Sequence, residues 1–209
     1  DLVRSRGLGD VYKRQAQAGV TFQKLLQELE KRNVKPGTYP TSSPSATIGG
    51  YISNGGCAGI GAPKYGPISS QILQLEVVLP DGEILSVNSP YSSLFAGAEG
   101  TLGVITQVVL RIYRIPESFV ALAYGFDNLT FACEELKKLL GSGIMPNSLT
   151  FMDKCFSETI CELGLEFPKH EIVACLTLEG RKQLVAAQEK AIDKIFSGGK
   201  KLDHAFAME

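Results

Sequence analysis

The stretch Thr41–Gly66, TSSPSATIGGYISNGGCAGIGAPKYG, is rich in glycine and in short hydroxylated side chains and holds few bulky ones. A chain this bare cannot build a core by interdigitating side chains along that length. It must run as a surface loop of turns or lie against something that takes the place of the missing side chains. Glycine admits positive φ and close approach, and Ser, Thr and Asn add short polar groups, so successive N–H groups can form a concave nest for an anion. On the residues alone both readings stand. The common nucleotide fingerprints do not fit. Gly59-Ile60-Gly61 begins a GxG, but the third glycine is missing at the required place and no buried strand immediately precedes it. No GxxxxGK[ST] occurs either, which removes a Walker-type ATPase.

The remaining sequence is that of an ordinary globular chain. Its 209 residues, 44% of them hydrophobic, can bury one good core or two small ones. A formal net charge of −1 with scattered Lys and Arg argues against nucleic acid or an anionic membrane as partner. No apolar run approaches the roughly 20 residues of a membrane span, no charged-then-apolar leader precedes a cleavage site, and a cytoplasmic location is the simplest expectation. Cys57, Cys133, Cys155, Cys161 and Cys175 form no CxxC pair, so we expect them reduced and mostly buried.

Apolar residues at Phe22, Leu25, Leu26 and Leu29 predict an amphipathic helix capped by Thr21 and ended by Lys35-Pro36-Gly37. Ile72–Leu79 reads as a strand buried on both faces, and Pro80-Asp81-Gly82 turns it into a hairpin with Ile84–Val87. After the small-residue segment Ser92–Gly103, a β-branched run over Val104–Tyr113 predicts another strand. A boundary falls near Arg114–Glu117. Beyond it the pattern predicts a strand at Phe119–Tyr124, a helix near Thr130–Leu140, strands at Ser148–Met152 and Glu171–Leu178, and a helix near Arg181–Phe196. That is the start of a split βαβ arrangement with too few strands to close a sheet comfortably. Residues 1–15 are basic and unpatterned. Asp10–Gln15 (DVYKRQ) is the translation of GATGTGTATAAGAGACAG, a transposon end used in sequencing-library preparation, so we read residues 1–15 as a sequencing or assembly artefact outside the fold.

Four ordered segments, ATIGGYISNGG, KYG, ILQLEVVLPDGEIL and GAEGTLGVIT, resemble the FAD-binding domain of the vanillyl-alcohol oxidase / p-cresol methylhydroxylase (PCMH-type) family. Within it they are most similar to the branch of glycolate oxidase D-type subunits, D-lactate dehydrogenases and D-2-hydroxyglutarate dehydrogenases. The resemblance implies an α+β chain: residues 16–117 as the second subdomain of that FAD-binding domain, residues 118–209 as the beginning of a ferredoxin-like cap. It implies FAD as cofactor, held by Pro40, Thr41, Ser42, Ser45, Thr47, Ile48, Gly49 and Gly50 around the pyrophosphate and flavin, and by Ser53, Asn54 and Gly56 beyond them. Tyr65 and Gly66 match the family's YG, which shapes the site; Tyr65 read by itself is equally a buried aromatic with a satisfied hydroxyl. Glu99, Gly100, Thr101, Gly103, Val104 and Ile105 match the segment whose backbone meets the adenosine part; a solvated loop carboxylate is the other reading of Glu99. Ala98 stands where the family commonly has serine.

The resemblance also implies a reaction: oxidation of a small 2-hydroxy acid such as D-lactate or glycolate, with electrons passed to an acceptor that can be an iron–sulfur subunit and that can place the protein at the membrane periphery. An alkyl-transferring synthase of the same fold and a stand-alone binding module are the alternatives. The family's RGGGTS-type pyrophosphate loop is absent from residues 1–39, and Thr150 replaces an acidic residue in PNSLTFMDK. The chain therefore reads as a fragment that binds FAD weakly or not at all, and its central strands are expected to leave edges open to aggregation. No catalytic or metal-binding residue is assigned. His170 and His204 are expected to face solvent, Asp153 and Lys154 to form a solvated charged face rather than a catalytic pair, and Cys57 to fit a tight loop rather than attach flavin.

Overall fold

The computed structural model describes residues 3–4, 13–56, 58–164 and 166–202. The expectations for Cys57, for His204 and for most of the leader lie outside the described residues. The chain divides into two compact units, Asp1–Ile115 and Pro116–Glu209.

In the first unit, β1 (Val3–Arg4), β2 (Lys13–Gln17), β6 (Val104–Arg114), β4 (Ile72–Val78) and β5 (Ile84–Asn88) form an antiparallel sheet in that spatial order, and β3 (Val34–Pro36) also pairs with β6. Lys13–Gln15, within the leader, pair with Val109–Arg111 of β6. The helix α1 (Phe22–Glu30) begins where the Thr21 side chain accepts from the Lys24 N–H, and its buried stripe is Phe22, Leu25 and Leu29. That stripe packs with Ile48, Ile52, Leu75, Val77, Val108 and Leu110 into one core. Covering each such side chain contributes about 1.5–3 kcal/mol, and this burial, more than helix propensity, holds α1 in place.

The strand β4 corrects one expectation. It is buried on one face rather than both: Leu75 and Val77 are in the core while Gln74 and Glu76 are half-covered. Register shifts between Ile72 and Gln74 and between Glu76 and Val77 re-aim its side chains. Thr106 Oγ1 donates to the Glu76 carboxylate at 2.6 Å on the polar face.

The second unit is a four-stranded antiparallel sheet in the order β10 (Lys200–Leu202), β7 (Ser118–Phe126), β9 (Ile172–Gly180), β8 (Ser148–Asp153). Helices α4 (Leu129–Gly141) and α6 (Lys182–Ile195) pack on it through Ala132, Leu139, Val185 and Ile192. Apart from a helix inserted between β8 and β9, the succession β-α-β-β-α-β is the ferredoxin-like split βαβ. The fourth strand, β10, overturns the expectation of too few strands; three residues, KKL, give too little periodicity to read as a strand.

An unpredicted helix, α5 (Lys154–Glu162), follows β8. Asp153 caps it, accepting from the Phe156 N–H at 2.8 Å, and Lys154 pairs with Glu171 at 3.2 Å, so these two charges serve the fold locally. Two further expectations change. The His170 side chain is 18% exposed, lies over Gly125 and meets Asp127 at 3.3 Å, so it is largely covered. Cys133 and Cys155 are exposed, because they fall on outward positions of α4 and α5. Cys175 is partly covered, and burial pushes its thiol up to about 11. Tyr124 is buried and its hydroxyl donates to Asp193 at 2.6 Å, which Lys201 also holds. Burial, followed by that carboxylate, raises the phenol well above its ordinary range.

Candidate cofactor site

The glycine-rich stretch is not a featureless loop. Thr47 caps a short helix, α2 (Ile48–Ser53), accepting from the Gly50 N–H at 3.2 Å. The turn before it folds on itself, with the N–H groups of Ser45 and Ala46 both donating to the Ser42 carbonyl. It is fastened to α1, because the Gln23 N–H donates to Ser43 O and the Phe22 N–H to Ala46 O. The consequence for binding is at the other side of the turn. The N–H groups of Thr41, Ser42 and Ser43 donate to no acceptor among the described residues, and Thr41 and Ser42 are exposed. Three neighbouring amides at the surface form a donor set suited to an anion.

Hydrogen bonds join the predicted segments into one surface. Gly97 N–H donates to Ile52 O at 3.0 Å and Glu99 N–H to Ser53 O at 2.9 Å, which brings the Glu99–Ile105 segment to the end of α2. Gly55 and Gly97 face each other with positive φ, close enough that a Cβ added to either would lie in van der Waals contact with the other. Tyr39 and Ile60 form a two-way bridge. The second helix of the stretch, α3 (Ala62–Tyr65), ends at Gly66, whose carbonyl accepts from Thr38 Oγ1 at 2.6 Å.

The predicted residues fall into two groups. Thr41, Ser42, Ser45, Gly50, Asn54, Glu99, Gly100, Thr101 and Val104 are exposed. Pro40, Ile48, Gly49, Gly56 and Ile105 are buried, while Thr47, Ser53, Tyr65, Gly66 and Gly103 are half-buried. Ile48 and Gly49 give their N–H groups to Val20 and Ala18. A Cβ on Gly49 would sit 2.6 Å from that of Ala18, and one on Gly103 would sit 2.7 Å from Val78 O. These two glycines admit neighbouring chain, whereas Gly100 opens on empty space.

Tyr65 packs against Tyr113 with centroids 4.4 Å apart and ring planes tilted by 47°, and the Lys35 and Lys64 ammonium groups lie 5.1 and 5.3 Å from the centre of its ring. Gln71, which is buried, donates to the Tyr65 carbonyl and accepts from Tyr113 Oη at 2.9 Å. Gln71 was not predicted, because a glutamine at the end of GPISSQ reads as loop, whereas the Ser43 amide lies within the Pro40–Thr47 run expected around the pyrophosphate. Among the described residues no group of three or more His, Cys, Asp or Glu could hold a metal ion.

The unspent amides at Thr41–Ser43 and the glycine-rich backbone beside them make a surface suited to an anionic, extended ligand. The family described as FAD binding domain matches residues 13–88, and FAD is the cofactor this match indicates. The residues present fit the group: the Thr41–Ser43 amides suit its diphosphate, and Gly100, which opens on empty space, leaves room beside it.

Relatives extend the likeness across both units. Over 147 residues the chain is 31% identical to D-lactate dehydrogenase [cytochrome] 1, mitochondrial, of Saccharomyces cerevisiae, covering 66% of this chain and 24% of that protein. It is 29% identical over 149 residues to glycolate oxidase subunit GlcD of Bacillus subtilis, covering 66% and 31%. It is 31% identical over 146 residues to alkyldihydroxyacetonephosphate synthase of Caenorhabditis elegans, covering 66% and 24%. A solved structure of alkyldihydroxyacetonephosphate synthase shares the fold, with a TM-score of 0.77 at 22% identity over 91% of this chain and 39% of that one. The chain thus spans about a quarter to a third of the length of these curated relatives.

Proposed function

We propose that this chain is part of a FAD-dependent oxidoreductase that converts a small 2-hydroxy acid, such as D-lactate or glycolate, to the 2-oxo acid. The observation that carries the reading is the run of outward amides at Thr41–Ser43 within a sequence kin to a D-lactate dehydrogenase and a glycolate oxidase subunit. FAD, when bound, would supply the two-electron oxidant for converting the hydroxy acid to the 2-oxo acid. This chain's residues bind and orient. Thr41, Ser42, Ser45 and Thr47 with Gly50 hold the diphosphate side, Ser53 and Asn54 continue the contact, and the exposed residues of Glu99–Ile105 hold the far end, while Gly49 and Gly56, buried against neighbouring chain, support the loop. Tyr65 and Gly66, fixed by Gln71 and Tyr113, shape the rim.

In this reading residues 16–117 are cofactor domain, residues 118–209 are cap, and residues 1–12 lie outside the native protein, since Lys13–Gln15 pair with β6 and fall within the family match. The electrons pass to an acceptor such as an iron–sulfur subunit. No described helix is long and apolar enough to cross a membrane, and we assign the cytoplasm, with membrane association through that acceptor. The kinship with the synthase favours a second reading, an alkyl-transferring reaction with no net oxidation.

One spectrum separates the two. The full-length protein from the source locus, purified without added cofactor, is expected to show flavin bands that bleach when D-lactate, glycolate or D-2-hydroxyglutarate is added anaerobically. Bands that persist with every hydroxy acid favour the synthase, and a colourless protein overturns both.

A further inference from the structure

The two sheets end differently at β10 and at β5. The edge at β10 is three residues long, KKL, and lysine is a common defence of an edge strand against pairing with another chain. In the first unit β5 stands last in the strand order, and among the described residues its only strand partner is β4. Its sequence, ILSVN, holds no charge and no proline, and it runs against β4 without a register shift. Its side chains do not cover the edge either: Ile84, Ser86 and Asn88 are exposed, Ile84 by 66%.

The ladder with β4 fixes which backbone groups are spent. Leu79 N–H donates to Glu83 O and Ser89 N–H to Leu73 O, at either end of the paired stretch. Hydrogen-bonded positions alternate with non-bonded ones in an antiparallel pair, so Glu83, Leu85, Val87 and Ser89 turn their N–H and C=O groups toward β4. Those of Ile84, Ser86 and Asn88 point out of the edge. Such a row is a template for one more strand, and the sequence of β5 suits β5 itself. Set antiparallel about Ser86, it brings Ile84 opposite Asn88 and Ser86 opposite Ser86, so that every outward group meets an outward group. Leu85 and Val87, half-buried opposite the core residues Val77 and Leu75, then pair with each other. Glu83 comes opposite Ser89, whereas a parallel arrangement would set each Glu83 beside the other.

We propose that β5 is the docking edge for a second copy of this chain, the two copies joining their sheets antiparallel about a twofold axis at Ser86. Each of Ile84, Ser86 and Asn88 then exchanges both backbone hydrogen bonds with its counterpart, and the contact closes on itself as a dimer. A join of five residues a side is small beside the roughly 20–30 of a standard interface. The dimer is therefore a weak one, with Kd on the order of 10 μM to 1 mM. It does not depend on the FAD reading.

The test is sedimentation equilibrium of the 209-residue chain at low salt, from about 10 μM to 1 mM, beside Ser86→Pro, Ser86→Lys and Ser86→Glu. The unsubstituted chain is expected to pass from monomer to dimer across that range. Ser86→Pro removes the central outward donor, which β4 does not use, and each charged variant sets like charges opposite at the axis. Each is expected to weaken association by about tenfold or more. Mixing the Ser86→Lys and Ser86→Glu chains opposes unlike charges and is expected to restore a heterodimer. Thermal unfolding checks that each variant folds; should Ser86→Pro not, the charged pair decides, because Ser86 is exposed. In the unsubstituted chain, amide exchange at Ile84, Ser86 and Asn88 is expected to slow as concentration rises, while Leu85 and Val87 stay protected throughout. A chain that remains monomeric to about 1 mM overturns the proposal. So does a dimer that survives all three substitutions, since it forms through another surface. Association lost in both charged variants and not recovered in their mixture overturns the twofold register.

Discussion

Gly61→Ala is expected to cost the first unit about 3 kcal/mol or more, lowering its unfolding temperature by roughly 15 °C. Gly61 has φ of 90°, and a Cβ there would overlap the Gly37 carbonyl oxygen, a backbone atom that cannot rotate away. The substitution therefore combines left-handed strain with a forced displacement of one chain from another. The segments it drives apart are those that the Tyr39–Ile60 bridge ties together, so the Tyr65 platform is expected to loosen with them. Thermal unfolding together with amide exchange in β7 and β9 checks this, since the second unit has its own core. A first-unit midpoint within a few degrees of the original would show that the contact relaxes, contrary to the geometry.

Phe22→Ala is expected to cost about 3–5 kcal/mol, the range for removing a large aromatic from a closed core. Phe22 is fully buried, opens the apolar stripe of α1 and meets the Tyr51 ring edge-to-face with centroids 5.2 Å apart. Tyr51 belongs to α2, and its hydroxyl donates to Ala58 O across the glycine-rich stretch. The loss should therefore appear twice, as a lowered denaturant midpoint and as weakened FAD binding, although Phe22 touches no predicted binding residue through its own charge or polarity. Phe22→Leu fills most of the volume and should recover the larger part of both. Stability lost with FAD affinity untouched would show that α2 is positioned without α1.

Long, strongly periodic elements were legible in the sequence because one physical signal governs them. The α1 stripe, the β4–β5 hairpin, β6 and the alternation of strand and helix beyond Pro116 follow from apolar spacing and turn residues, and the structure has them within a residue or two. The elements that escaped are those whose cause is tertiary. The helix α2 contains two glycines and is held by the Thr47 cap and by Ile48 and Ile52 in the core. The strand β10 exists because β7 offers it an edge, and His170 is covered because Gly125 leaves room for its ring. The site shows the same division. Glycine content marked the right stretch, yet composition does not distinguish Gly49 and Gly61, which make room for neighbouring chain, from Gly100, which opens outward. Nor could it separate the Ser43 amide, free to donate, from those of Ser45 and Ala46, spent on the Ser42 carbonyl.

The strand β6 is flanked over its middle: Val108, Val109 and Leu110 pair with β2 on one side and with β4 on the other. Their amides can meet deuterium only when that ladder opens, and that opening takes most of the unit with it. The turn at Ala98–Thr101, a few residues upstream on the same chain, belongs to no ladder. The two stretches should therefore keep different clocks, with exchange at Ala98–Thr101 complete long before Val108–Leu110 begins. A bound cofactor would slow the first clock directly and the second only through the stability it lends the whole unit.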